Sequence, residues 1–562
     1  MKRHDLTKAS GIFLVALLAI FAVFLVYPIA YVIEGAFFVD GSFSLEFFRL
    51  MFTNPVHRES ITNSIVLGLT VTVATTLVAL PLAFVMIRRE FPGKGIFNGL
   101  LLVPMVLPPF VGAVGMQQLL SQYGSINLIL MKLGLMSTAN PFDWLGTGFW
   151  AVVLLEVLHL YPIMYLNVAA ALANVDPSLE EAGRNMGASG FRLFRTVTFP
   201  LMIPGYFAGA IIVFIWAFTD LGTPLIFNYS RVVPVVIFDA VNDIHTNPMG
   251  FAMVVLVLVL TVIFFVVSKH FLGGSSHQMM ARGHVQGTSS PAPILTIPFI
   301  WLGLFGVTFL AILPHISVVL SAFAERWAMT ILPGKFTTEF IGKVFTHKLT
   351  MGSIRNSLFL SSISTVLDII IGITVAWLLA RKTFPGKNLL DTLAMLPLAL
   401  PGIVLAFGYV GAFSGTFLDV MRNPMPLLVI AYAIRRLPYM VRAAYAGFQQ
   451  TSVTLEEASL NLGASPMRTL RKITMPLVTA NIIAGSILAF AFAMLEVSDS
   501  LILAAREEYF PITKAIYALS LRIADGPFIA SAMGLIGMFL LGGSLIIAGR
   551  FLGRRMGELF RA

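Results

Sequence analysis

The sequence predicts an all-α integral membrane protein of about twelve transmembrane helices, arranged as two parallel six-helix repeats that each carry a polar elbow. Three observations predict this. Of 562 residues, 57% are hydrophobic and only 11% charged, against about 25% charged in soluble globular domains. Apolar runs long enough to cross a bilayer recur along the whole chain. One polar passage, Asp176 to Gly205, returns as Ser452 to Leu477 with its spacing intact.

The first apolar run, near 11–37, follows Lys2, Arg3 and Lys8. It has the outline of a signal peptide, but it is too long and lacks a small-residue cleavage site, so an uncleaved first span is expected. Further runs lie near 62–87, 95–120, 148–173, 201–228 and 249–272, and a second set near 294–324, 355–380, 388–412, 426–449, 476–504 and 528–552. Between the sets, residues 273–293 are polar and rich in Gly, Ser and Pro, and read as a flexible linker. The expected domains are therefore a first transmembrane half (1–272), the linker (273–293) and a second half (294–562).

The halves repeat in sequence. Ile61-Thr62-Asn63-Ser64 matches Ile354-Arg355-Asn356-Ser357, and Phe91-Pro92-Gly93-Lys94 matches Phe384-Pro385-Gly386-Lys387. Pro104 and Pro108 match Pro397 and Pro401 at the same offset of 293 positions, and are expected to bend or break the third and ninth spans. From Pro162 and Pro438 onward the offset is 276, which puts 17 extra residues into the loop 121–147 of the first half. An even number of spans per half makes the two copies parallel.

The elbows carry the most specific pattern. Glu181-Ala182-Gly183, three residues, Gly187, nine residues and Val197-Thr198-Phe199-Pro200 form the first copy. Glu457-Ala458-Ser459, three residues, Gly463, nine residues and Ile473-Thr474-Met475-Pro476 form the second. Asp176 and Ser452 are suited to cap a short helix, with Pro177 at its first position. Glu180, Glu181, Glu456 and Glu457 then fall in the first turns, where the helix dipole favours carboxylates. Gly187 and Gly463 end the helix through a left-handed residue. A second short basic helix follows, with Arg192 and Arg195, or Arg468, Arg471 and Lys472. This pattern resembles the coupling-helix motif Glu-Ala-Ala, three residues, Gly, nine residues, Ile-x-Leu-Pro of permease subunits of binding-protein-dependent ABC importers. It departs at Gly183, Ser459, Phe199 and Met475. The wider repeat is similar to the fused, double-length permeases of the ferric-iron group, whose relatives carry thiamine, aminophosphonates or polyamines.

Orientation follows from Lys and Arg. With a cytoplasmic N-terminus, that side receives Arg88, Arg89 and Lys94, then Arg184, Arg192 and Arg195, then Lys269 and Arg282 in and beside the linker. It also receives Arg381, Lys382, Lys387, Arg468, Arg471, Lys472, Arg550, Arg554, Arg555 and Arg561, so both elbows and both termini are expected in the cytoplasm. A net charge of +10 then suits anionic membrane lipid, and no soluble domain is large enough for nucleic acid. There is no cysteine, hence no disulfide or thiol chemistry. No phosphate-binding Gly-rich loop with Lys-Ser/Thr, no His-Glu-x-x-His and no nucleophile elbow is present, so no catalytic site and no cofactor of its own are expected. No residue pattern names a metal site.

Ionisable residues inside spans are functional candidates by default. Asp220 and Glu496 are equivalent across the 276-residue offset, and Asp499 follows one turn later. Each of the first two lies about 19 residues, or ~28 Å at helical rise, from the expected cytoplasmic end. They read either as lining an outer gate or as capping helix ends near water. Glu156, His159, Asp368, Arg435 and Arg436 are also intramembrane, and a structural ion pair of Glu156 or Asp368 with Arg435 is expected.

The resemblance implies a channel subunit driven by a partner: two copies of a cytoplasmic ABC ATPase that bind ATP and Mg, and a periplasmic or lipoprotein solute-binding protein. Glu180, Glu181, Ala182, Gly187 and Arg192, with Glu456, Glu457, Ala458, Gly463 and Arg468, would form the ATPase-coupling elbows. It also implies a bacterial inner-membrane location and ferric iron as cargo. A reading of a different class is an ion-coupled secondary transporter, which also has two parallel six-span halves.

Overall fold

In hydrocarbon every backbone N–H and C=O must be satisfied internally, and long apolar runs with few breakers do so as helices. The computed structural model describes residues 4–5, 8–39, 41–244, 247–273 and 289–552. Its long helices are α1 (Ser10–Phe37), α2 (Pro55–Arg88), α3 (Phe149–Ala173), α4 (Phe199–Thr219) and α5 (Met249–Gly273) in the first half. The second half has α6 (Ile294–Phe323), α7 (Lys348–Arg381), α8 (Met425–Gln450), α9 (Met475–Met494) and α10 (Gly526–Leu552).

The span expected at 95–120 is a bent pair, Lys94–Val106 and Pro109–Lys132, turning by 90°. That expected at 388–412 is Lys387–Ala399 and Gly402–Ala412, turning by 103°. Pro108 and Pro401 sit in extended backbone at the two breaks, as the missing N–H and fixed φ of proline require. Among the described residues, eight helices are long and apolar enough to cross a membrane, or ten with each bent pair as one span. The two expected spans outside this number are α5, apolar over Met249–Phe264, and α8, which carries Arg435, Arg436 and Arg442. The extra residues of the first half fold around buried Asn127. Its amide donates to the carbonyls of Gln122 (2.9 Å) and Phe142 (2.6 Å) and its oxygen accepts from Trp144 Nε1 (2.6 Å).

The described chain forms two compact units that do not follow the sequence halves. Among the described residues, unit one comprises 4–54, 237–258 and 341–552, and unit two 55–236 and 259–340. Each unit thus takes its first helix from the other half. In unit one α1 lies on the Gly402–Ala412 segment. Pro28 lacks an N–H, which leaves the Phe24 carbonyl without its helical donor, and the Tyr409 hydroxyl donates to that carbonyl at 2.7 Å. Gly408 lies against the Pro28 carbonyl so closely that an added Cβ would sit 2.9 Å from it. Unit two repeats the contact: Gly115 packs against the Pro314 carbonyl of α6, with no room for a Cβ. His315 Nε2 lies 3.2 Å from the Pro108 carbonyl at the break.

A short parallel β-pair anchors each first helix. His4–Asp5 pairs with Lys382–Thr383, directly after α7, and Ser290–Pro291 pairs with Arg89–Glu90, directly after α2. The expected linker falls mostly on 274–288, outside the described residues.

Candidate functional site

Both expected elbows form. In the first, Pro177–Asn185 is a helix whose N-cap Asp176 accepts from Ser178 N–H at 2.9 Å. In the second, Val453–Asn461 is capped by Ser452, which accepts from Thr454 N–H at 3.3 Å. Gly187 and Gly463 both have φ +86°, the left-handed geometry that closes a helix with glycine. A four-residue helix and a π-helical turn follow each, Phe194–Thr198 and Leu470–Thr474, leading into α4 and α9.

The departures from the family pattern have local reasons. At Gly183 a Cβ would meet Leu193 Cδ1 at 2.8 Å, so the second short helix packs directly on the first. At the equivalent place Ser459 is accommodated by hydrogen bonding through Oγ to Thr469 Oγ1 at 2.9 Å.

Adjacent glutamates face opposite ways. Glu180 is buried and pairs with Arg88 Nη2 at 2.8 Å, while Thr198 Oγ1 donates to the same carboxylate oxygen at 2.8 Å. Glu456 pairs with Arg381 at 3.1 Å, and Arg381 Nη2 also donates to the Thr451 carbonyl at 3.0 Å. Glu181, Ala182, Arg192, Glu457, Ala458 and Arg468 are exposed. Beside them stand exposed apolar side chains at equivalent positions, Met186 (82% exposed) and Phe191 (76%) in one elbow, and Leu462 (89%) and Met467 (70%) in the other. Sequence reasoning placed Arg88 and Arg381 on the cytoplasmic side but missed their pairing with the elbow glutamates. Their signal was the shared offset of 293 positions and their place as the last residue of each 34-residue helix.

The intramembrane charges fall into two groups, one in each unit. In unit two, Asp220 follows the end of α4 and accepts from Gly222 N–H (3.2 Å) and Thr223 N–H (2.9 Å), capping the short helix Gly222–Ile226. Thr223 Oγ1 donates to buried Glu156 at 3.2 Å, and His159 Nδ1 lies 3.2 Å from the Pro104 carbonyl. In unit one, Glu496 pairs with Arg436, and Arg435 Nε lies 3.8 Å from Glu496 and 3.7 Å from Asp499. Arg435 therefore finds its carboxylates on the segment after α9, not at Glu156 or Asp368 as expected. Asp368 is buried with neither oxygen hydrogen-bonded. Gly402, at the helix break, leaves the space that the Arg435 guanidinium fills. Tyr432 Oη and Ser500 Oγ, 2.5 Å apart, and Thr513 Oγ1, which donates to the Glu496 carbonyl at 2.6 Å, complete the cluster. Among the described residues no group of three or more His or carboxylate side chains is arranged to hold a metal ion.

A helical membrane chain built as two repeats, with one elbow in each, defines a class. Residues 76–273 and 369–558 each match the family of binding-protein-dependent transport system inner membrane components, and together they cover more than half of the chain. The chain belongs to this family and carries its domain twice. It is a multi-pass inner-membrane protein and the permease subunit of an ABC importer, a transport component and not itself the ATPase, which decides against the ion-coupled secondary transporter.

Among its relatives, the ferric transport system permease protein FbpB of Actinobacillus pleuropneumoniae is 27% identical over 539 residues, covering 93% of this chain and 75% of the relative. The Fe(3+)-transport system permease protein FbpB 2 of Haemophilus influenzae is 23% identical over 489 residues, covering 85% and 87%. The molybdate/tungstate transport system permease protein WtpB of Pyrococcus furiosus is 32% identical over 188 residues, covering 34% of this chain and 72% of the relative.

Proposed function

We propose that this chain is the translocation subunit of a ferric-iron importer, and that its two elbows dock two copies of a cytoplasmic ATPase. The observation that carries the docking is the repeated exposed surface: Met186 and Phe191 beside Glu181 and Arg192, and Leu462 and Met467 beside Glu457 and Arg468. Exposed apolar side chains rimmed by charge fit a groove on a protein partner. ATP and Mg are held by that partner. Closure of the ATPase pair draws the elbows together and exchanges inward-facing and outward-facing states, while a solute-binding protein delivers cargo from the far side. Both elbows and both termini are cytoplasmic in this reading, in accord with the Lys and Arg distribution.

Ferric iron is supported by the two double-length relatives that match most of the chain. Asp220 in one unit, and Glu496 with Asp499 in the other, each lie along the translocation pathway of their own unit. The guanidinium groups beside Glu496 and Asp499 support a role in neutralising them rather than in binding a free cation.

The test is native mass spectrometry of the binding protein that co-purifies with the full chain. A bound ferric ion, with or without an anion, is the expected result. A molybdate, organic amine or phosphonate overturns the cargo and leaves the docking standing. Failure of any ATPase to co-purify overturns the docking.

A further inference from the structure

We infer that Arg88–Glu180 and Arg381–Glu456 are struts that carry elbow movement into α2 and α7, and that Glu180 and Glu456 are positioning residues rather than part of the docking face. The inference rests on the importer reading above and assigns a separate duty to each of two neighbouring glutamates.

The geometry repeats in both halves. In each, the arginine is the last residue of a 34-residue helix and the glutamate lies in the first turns of the elbow helix. Each charge complements its own helix dipole, Arg at a C-terminus and Glu near an N-terminus, while pairing with the other. The side chains are withdrawn from solvent, at 9% and 8% exposure for Arg88 and Glu180 and 7% and 16% for Arg381 and Glu456. A charge-assisted bond so shielded is short, directional and costly to break.

The bond also chooses its helix. By chain connectivity the first elbow joins α3 to α4, and the second joins α8 to α9. Neither is covalently joined to α2 or α7, so the ion pair is a non-covalent route into a third helix. At 1.5 Å per residue that helix is a rod of about 51 Å, longer than the hydrocarbon core is thick. Displacement at the elbow thus reaches toward the opposite membrane face along one continuous helix, free of proline in α7 and with Pro81 interrupting the hydrogen-bond ladder in α2.

The two struts differ in their third member. Thr198, in the turn that enters α4, donates to Glu180. In the second half it is Arg381 that reaches further, to the Thr451 carbonyl at the end of α8 and over the Phe448 ring at 5.7 Å. The first elbow is tied to its exit span, the second to its entry span.

The test uses the full chain in lipid nanodiscs and then in proteoliposomes with its co-purified ATPase and binding protein. In nanodiscs, amide exchange over 177–187 in E180Q should rise about tenfold or more, the factor that loss of one charge-assisted hydrogen bond implies. Unchanged exchange overturns the strut whether or not the chain is an importer. In proteoliposomes, E180Q/E456Q should retain the ATPase in wild-type amounts and hydrolyse ATP within about twofold of wild type. Uptake of radioactive ferric iron per ATP should fall about tenfold, within the usual range of coupling free energies. The exchanged pair R88E/E180R, made in an E456Q background, should regain part of that loss. Loss of the ATPase from E180Q/E456Q places these glutamates on the docking face and overturns the assignment, as does unchanged uptake per ATP. A wild-type chain that retains no ATPase overturns the docking reading instead, and the nanodisc result still decides the strut.

Discussion

At the scale of single residues, equivalent positions have taken different duties. Asp220 and Glu496 occupy the same place in the repeat, yet one caps a helix and the other neutralises arginine. Replacing Asp220 by Ala should cost about 1 kcal/mol, the usual loss for an N-cap, and Asn should cost less because it keeps an acceptor. Thermal unfolding in detergent measures both. Removing one member of the Glu496–Arg436 pair is more severe. Glu496→Gln takes from the buried Arg436 its carboxylate, at about 3–5 kcal/mol, and folded yield should collapse, whereas Arg436→Met costs less because Arg435 still lies 3.8 Å from Glu496. The double change to Gln and Met should restore much of it, read as monodisperse protein in size-exclusion chromatography. Sequence alone exposed these residues as charges in apolar runs. It did not show which carboxylate Arg435 would reach, because several lie in neighbouring spans and only packing selects among them.

At the scale of elements, the elbows and the broken spans were legible and their partners were not. Cap, acidic first turn, glycine stop and proline restart are local signals, and each elbow follows them. The breaks at Pro108 and Pro401 were equally local. The strut from Arg88 to Glu180 joins residues 92 positions apart, and no local pattern encodes it. The glycine stops make a prediction at this level. Gly187→Ala and Gly463→Ala force a Cβ into left-handed backbone, at about 1–2 kcal/mol each. Each should therefore loosen its elbow, read as faster amide exchange over 184–190 or 460–466 and weaker ATPase retention. Gly115→Leu meets the Pro314 carbonyl, a backbone atom that cannot rotate away. It should strip α6 from unit two, measured as rapid proteolysis of the loop before Lys348.

At the scale of the whole molecule, the sequence repeat and the compact units divide the chain differently. The repeat was visible because offsets of 293 and 276 recur. The exchange of first helices was not, since α1 and α6 present similar apolar surfaces whichever half they join. Each unit draws on both halves, so a chain cut between Gly273 and Ser289 should still assemble. Fragments 1–273 and 289–562 made together should co-purify in mild detergent, and either made alone should be degraded. Separate accumulation of stable single fragments would contradict the exchange.

The hydrogen bond from Tyr409 to the Phe24 carbonyl spans 385 positions. A ribosome adding 5–20 residues per second needs roughly 20–80 s to cover that distance. For all of that time α1 is already in the bilayer, with Pro28 interrupting its ladder and the surface meant for Gly408 open to lipid. Biogenesis of this chain therefore includes a waiting period, during which the first helix must be sheltered by lipid or an insertion factor.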